Sequence, residues 1–142
     1  MNLWPPFLGA GIRVVHVSPH LNRIDVEMKL RKWNQNYVGT QFGGSLYAMC
    51  DPFYMLILME RLGREYIVWD KAATIRFKKP GRGKVKAIFE IDEKTVDDIR
   101  LQANQSYKVE PVFTAKVCDE SGEVIAEVEK VLYIRRKDRK RE

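Results

Sequence analysis

Asp51 is an acid set in the most apolar stretch of the chain, the run from Leu46 to Met59, with Met49, Cys50, Pro52 and Phe53 around it. A glycine pair, Gly43-Gly44, precedes it at a point where a helix should begin. The first N–H groups of a helix have no partner inside the helix, and glycine lets another group approach them closely. Such donors suit the negative oxygen that forms when water adds to an acyl carbonyl, where removing one donor costs about 2.7–4 kcal/mol. A carboxylate in apolar surroundings is a stronger base than one in water, and a positioned base is typically worth about 10²–10⁴-fold in rate. Together these residues suggest acyl transfer to water, with Asp51 as base or nucleophile and Gly43 and Gly44 as oxyanion donors. Asn36 can orient the water or the carbonyl, or serve its loop as a capping residue. The bland reading of the glycines is tight packing of a helix start; that of Asp51 is an acid bonded to a neighbouring loop or subunit.

Spacing limits how these groups can cooperate. Asp51 follows Gly44 by seven residues, which on a helix is about 10 Å. Both cannot easily reach one carbonyl carbon from the same chain. The expectation is a site shared between two subunits, with Asp51 from one and the glycine N–H groups from the other.

The elements that must position these residues follow from periodicity. One long helix is predicted from around Phe42–Ser45 to Arg61 or Leu62, stopped by Gly63. Its apolar residues surround the cylinder, which marks a buried helix, and Pro52 should kink or loosen it. Before it, Gly11 to Ser18 and Arg23 to Arg31 read as a hairpin. The second run alternates Ile24, Val26, Met28 and Leu30 against charged neighbours, the period of a strand with one buried face. After it come strands at Tyr66 to Lys79, Lys84 to Asp92, Tyr107 to Cys118 (interrupted by Pro111) and Glu123 to Arg135. Thr95 to Ser106 reads as a modest helix or loop, with Thr95 and Asp98 resembling a capping box. Met1 to Gly11 is an irregular or briefly helical lead-in whose Trp4, Phe7 and Leu8 should lie back on the body. The expected class is α+β: a curled antiparallel sheet of about six strands around one long apolar helix. One helix cannot cover such a sheet, so a face or edge should meet a second subunit.

Composition narrows the classes. The chain has 142 residues, 45% hydrophobic and 31% charged, which suits one globular domain over 1–142. Net charge is +6, but the last eight residues hold six basic and two acidic groups. Residues 136–142 read as a solvated, disordered basic tail, and a nucleic-acid partner is not expected. The two cysteines, Cys50 and Cys118, lie in apolar patterns without a close partner, which favours a reduced, cytoplasmic setting. No leader segment is visible, and the longest apolar run is too short and too interrupted to span a bilayer. His16 and His20 have no acid or cysteine at ligand spacing, so neither a metal nor a cofactor is expected. Arg76, Lys78, Lys79, Arg82, Lys84 and Lys86 gather around the Pro80-Gly81 turn, where they would complement phosphates or simply solvate a strand end. Thr74 could hold the acid or the leaving group, though a strand threonine is more often structural.

The stretch Asn36-Tyr-Val-Gly39-Thr-Gln-Phe42-Gly43-Gly44 through Asp51 resembles the N-x-x-G-x-x-H-G-G-x-x-x-x-x-x-D signature of hotdog-fold acyl-CoA thioesterases of the phenylacetate-pathway type. Thr74 to Pro80, T-I-R-F-K-K-P, looks like the strand-and-turn segment of the same superfamily. The resemblance spans roughly Gly11 to Arg135. It implies a single hotdog domain, acyl-thioester hydrolysis, an acyl-CoA substrate, and assembly as a dimer or dimer of dimers with the site at an interface. Carried over residue by residue, Asp51, Gly43, Gly44 and Asn36 are the catalytic positions. Phe42, Tyr47, Thr74, Arg76, Lys78, Lys79 and Arg82 are candidates for substrate binding, with Tyr47, Phe53 and Tyr54 along the acyl tunnel. One position departs: Phe42 stands where the signature has histidine, losing a donor and an acceptor. That departure supports a second expectation, an acyl-CoA or fatty-acyl binding protein that does not turn its ligand over.

Overall fold

The computed structural model describes residues 1–139. In chain order the elements are α1 (Pro5–Ala10), β1 (Ile12–Val17), β2 (Arg23–Lys29), α2 (Gly43–Ala48), α3 (Phe53–Leu62), β3 (Tyr66–Phe77), β4 (Lys84–Glu90), α4 (Glu93–Gln105), β5 (Val112–Cys118) and β6 (Val124–Arg136). The six strands form one antiparallel sheet in the order β1-β2-β4-β5-β6-β3. The sheet closes on α2 and α3, the hotdog architecture that the resemblance implied. No helix among the described residues is long and apolar enough to cross a membrane.

The expected single long helix is two helices. The reason is Pro52, which has no N–H to offer the Ala48 carbonyl. Asp51 N bonds Ala48 O instead, and Cys50 N bonds Tyr47 O, both one residue short of the helical register. The chain restarts with Pro52 at the cap of α3, where its carbonyl accepts from Leu56 N at 2.9 Å. The break leaves Asp51 in the joint, not on a helix face. Beyond it, α3 buries Phe53, Tyr54, Ile57 and Leu58 while Met59 and Glu60 face outward, so the helix is not apolar-facing all round. Phe53 packs on Phe7 and Phe89, and Tyr54 stacks on Phe113 and donates to Thr114 O. Burying each such aromatic contributes about 1.5–3 kcal/mol.

Three further expectations are adjusted. In the lead-in, α1 buries only Phe7; Trp4 and Leu8 stay exposed. The segment after β4 is a full helix, α4, and its cap is Asp92, whose side chain accepts from Thr95 N at 2.8 Å. Thr95 is therefore inside the helix, which buries Val96, Ile99 and Ala103 along one face. At the chain's end, Lys137 N bonds Glu65 O and the Arg136 guanidinium pairs with Asp138, so residues 136–139 are tied to the body. Residues 140–142, the rest of the expected basic tail, lie outside the described residues.

The alternation of β2 is as read: Ile24, Val26 and Met28 point into the core. Its opposite face holds a buried acid, Asp25, gripped by Arg23 through two bonds of 2.8 and 3.0 Å and by Lys86 at 3.4 Å. The Arg23 bond is the main influence holding the Asp25 carboxyl below its ordinary value, with Lys86 adding to it. A carboxyl so depressed stabilises the fold above its unfolded value and ceases to as pH falls through its folded one. Asp25→Asn should therefore lose about 1–3 kcal/mol at neutral pH. Paired urea titrations should show that deficit closing once the pH drops below the ordinary aspartate value, about 3.9.

Candidate active site

The glycine pair opens α2 after Phe42, whose backbone is extended and whose carbonyl accepts the first two intrahelical bonds, from Ser45 N and Leu46 N. The Gly43 and Gly44 N–H groups precede that bonded turn and have no acceptor among the described residues. Two aromatic rings explain the need for glycine. A Cβ on Gly43 would stand 3.0 Å from the Phe77 ring, and one on Gly44 would stand 2.8 Å from the ring of Phe42. The latter ring is half exposed. Beside Gly43 lies a cleft of about 390 Å³ whose lining includes Asn36, Gln41, Phe77, Lys78 and Lys79.

Asn36 orders the loop that leads to this cleft. Its Oδ1 accepts from Val38 N and Thr40 N, and its Nδ2 donates to Thr40 Oγ1 and Gln41 O. Gln41 is buried, with Nε2 donating to Gly83 O at 3.0 Å and Oε1 left without a donor. Lys79 pairs with Glu123, and Arg82 is exposed on the following turn. Thr74 and Arg76 lie on the other face of β3: they stand opposite Glu129 and Glu127, while Ala73, Ile75 and Phe77 share the inner face with Lys130, Val128 and Ala126.

Asp51 is not sunk in apolar surroundings. Its side chain is 50% exposed, at the mouth of a second cavity of about 370 Å³ lined by Tyr47, Asp70, Lys71, Ala72, Ala73, Ile75 and Lys130. Oδ1 accepts from the Tyr47 hydroxyl at 2.8 Å and from Lys130 Nζ at 2.9 Å. No donor among the described residues reaches Oδ2. Lys130 is 1% exposed. Its ammonium also lies 3.3 Å from the Tyr47 oxygen and 3.3 Å from Asp70 Oδ1, the latter without hydrogen-bond alignment, so that buried oxygen remains unbonded. Burial alone would lower the Lys130 ammonium, but the bond and charge of Asp51, then Asp70, outweigh it and hold it above the ordinary lysine value. Burial pushes Asp70 up; Lys130 opposes that and the Asp51 charge adds to it. The Tyr47 hydroxyl is raised, first by burial and then by its bond to Asp51.

Lys130 and Asp70 were not among the sequence candidates. Lys130 left a signal: it falls in step with Ala126, Val128, Leu132 and Ile134, the buried set of β6. A lysine in phase with an apolar alternation must find carboxylates. Asp70 left none. The β3 register slips between Asp70 and Ala72, and one extra residue reverses which side chains face inward. Without that bulge Asp70 would lie with Thr74 and Arg76 on the outer face.

The two cavities are separated along β3. Lys130 stands opposite Ala73, and Gly43 packs on Phe77; four residues of strand are about 13 Å. Cys50, next to Asp51, is fully buried, and burial pushes its thiol up to about 12, in keeping with a core role. In the native protein an alkylating reagent should modify Cys118 and spare Cys50, with both labelled in urea; intact-mass measurement reads the difference. Among the described residues no three His, Cys, Asp or Glu gather in a way that could hold a metal ion.

The family described as a domain of unknown function, DUF4442, matches residues 1–134. No curated protein matches the chain. Among solved structures, a Pseudomonas aeruginosa protein of unknown function described as a probable thioesterase superposes with a TM-score of 0.82 at 20% identity, covering 94% of this chain and 88% of that one. A thioesterase from Haemophilus influenzae gives 0.66 at 14% identity, covering 92% and 82%. A mutant form of the phenylacetic acid degradation protein of Thermus thermophilus gives 0.61 at 20% identity, covering 93% and 99%. At these identities the likeness establishes the hotdog fold.

Proposed function

We propose that this chain, which belongs to the DUF4442 family, is an acyl-CoA thioesterase. The observation that carries the reading is the state of Asp51: one carboxylate oxygen is fixed by Lys130 and Tyr47 and the other is free at an open cavity. In the proposed reaction Oδ2 takes a proton from water as the water oxygen bonds the thioester carbonyl carbon. The carbonyl oxygen becomes negative and is met by the Gly43 and Gly44 N–H groups. Collapse breaks the C–S bond, and the thiolate takes the proton held by Asp51 and leaves as free CoA, which restores the carboxylate. Lys78 and Lys79 line the glycine cleft, Lys79 paired with Glu123; in this reading they meet the phosphates of the substrate, with Arg82 on the next turn.

The separation of the two cavities supports a site built by two subunits. In the single chain β3 is an edge strand of 12 residues with Trp69 and Phe77 exposed, and long uncovered edges invite pairing. A two-fold axis near Ile75 of an antiparallel β3 pair would set Phe77 of one chain opposite Ala73 of its partner. The glycines beside Phe77 of one chain would then lie near Asp51 of its partner.

Release of free thiol from a panel of acyl-CoAs tests the proposal. Turnover supports it; saturable binding with no thiol released over hours favours the second reading, a binding protein, which the Phe42 ring standing over Gly44 supports. No binding at all would remove both.

A further inference from the structure

We propose that Lys130 is the positioning residue of this site, holding Asp51 by Oδ1 together with Tyr47 so that Oδ2 points to the reacting water, and that Asp70 is the counter-charge that keeps a buried lysine in place. The inference rests on the reading of Asp51 as the base.

The geometry is specific. Among the described residues, every bond to the Asp51 carboxylate falls on one oxygen. A carboxylate pinned at one oxygen cannot rotate, and its second oxygen keeps a fixed direction, as orienting partners of catalytic bases do. The pin comes from three elements: Tyr47 from α2, Lys130 from β6, and Asp70 through Lys130 from β3. The other charged or titratable groups nearby are Cys50, buried and protonated, and Lys71, which is engaged by Glu110 at 2.6 Å. Isolated charges are not buried without pairing, so a lysine at 1% exposure facing two carboxylates is a built feature. Neutral side chains replacing the whole cluster would often cost little in stability, so stability alone does not call for it. The bulge that turns Asp70 inward serves the same cluster.

The test uses two readouts on the full chain: carboxyl-carbon NMR titration of Asp70, and thiol release from acyl-CoA. In Lys130→Met the Asp70 carboxyl should titrate higher than in wild type, and in Asp51→Asn lower, each by about one pH unit or more. In turnover, Lys130→Met should lose about 10²-fold in kcat with KM nearly unchanged, the pattern of lost transition-state stabilisation and not of lost binding. Tyr47→Phe, which removes one of the two donors, should lose about tenfold. Asp70 titrations that move in neither variant would overturn the network whatever the activity. Titrations that move beside a Lys130→Met kcat equal to wild type would overturn the positioning role. If wild type releases no thiol while the titrations move as stated, the hydrolase reading falls and the network stands. Should Lys130→Met fail to fold, Asp51→Asn and Tyr47→Phe decide the case, since Lys130 then keeps Asp70 in the first and both carboxylates in the second.

Discussion

Asp51→Asn should release thiol from acyl-CoA about 10²–10⁴-fold more slowly than wild type, with KM and the urea midpoint nearly unchanged. The asparagine keeps the size of the side chain, and its Oδ1 can still accept from Tyr47 and Lys130. Lys130 would retain Asp70 as a charged partner, so no buried ion is stranded. What is lost is the free carboxylate oxygen and with it the ability to take a proton from water. Because Asp51 is half exposed, the substitution opens no cavity, and a fall in activity cannot be ascribed to unfolding. Rates are to be compared over several acyl lengths, because a poor substrate can hide the chemical step behind slow binding. Equal rates in the two proteins would take Asp51 out of the mechanism.

How much of this was legible in the chain depends on whether local pattern or tertiary register decided the matter. The strand alternations of β2 and β4, the turn at Pro80-Gly81 and the glycine-led helix start are local and read directly. The proline at 52 is equally visible and suggests a kink or loosening, but a missing N–H at the end of a short first helix stops that helix instead of bending it. Asp51 would be desolvated in a continuous apolar helix, but in the joint it reaches water and Lys130. The sheet bulge at Asp70 was illegible, because it comes from the pairing of β3 with β6, strands far apart in the chain. Lys130 lay between these cases: its phase in β6 was readable, its partners were not.

Two inactive variants, mixed, should recover activity. Gly43→Val would crowd the Phe77 ring, only 3.0 Å from a Cβ at that position, and obstruct the approach to the N–H groups; Asp51→Asn removes the base. Each should lose about 10²-fold or more alone. If one subunit supplies the acid and the other the glycines, a mixed dimer holds one site with both defects and one with neither. Random reassembly of equal amounts gives half mixed dimers, so activity should return to about a quarter of wild type. A site complete within one chain predicts no recovery, since every chain in the mixture carries a defect. The spacing along β3 argues against that outcome. Gly43 rests on Phe77 while Asp51 is bound to the lysine facing Ala73, and about 13 Å of strand separates them. A tetrahedral intermediate needs its oxyanion donors within about 3 Å of the oxygen and its base within about 3 Å, or one water, of the attacking group. One chain cannot satisfy both at a single carbon without closing that gap, whereas an antiparallel β3 pair with its two-fold axis near Ile75 would bring Phe77 of one chain beside the Ala73 region of its partner with neither subunit rearranged.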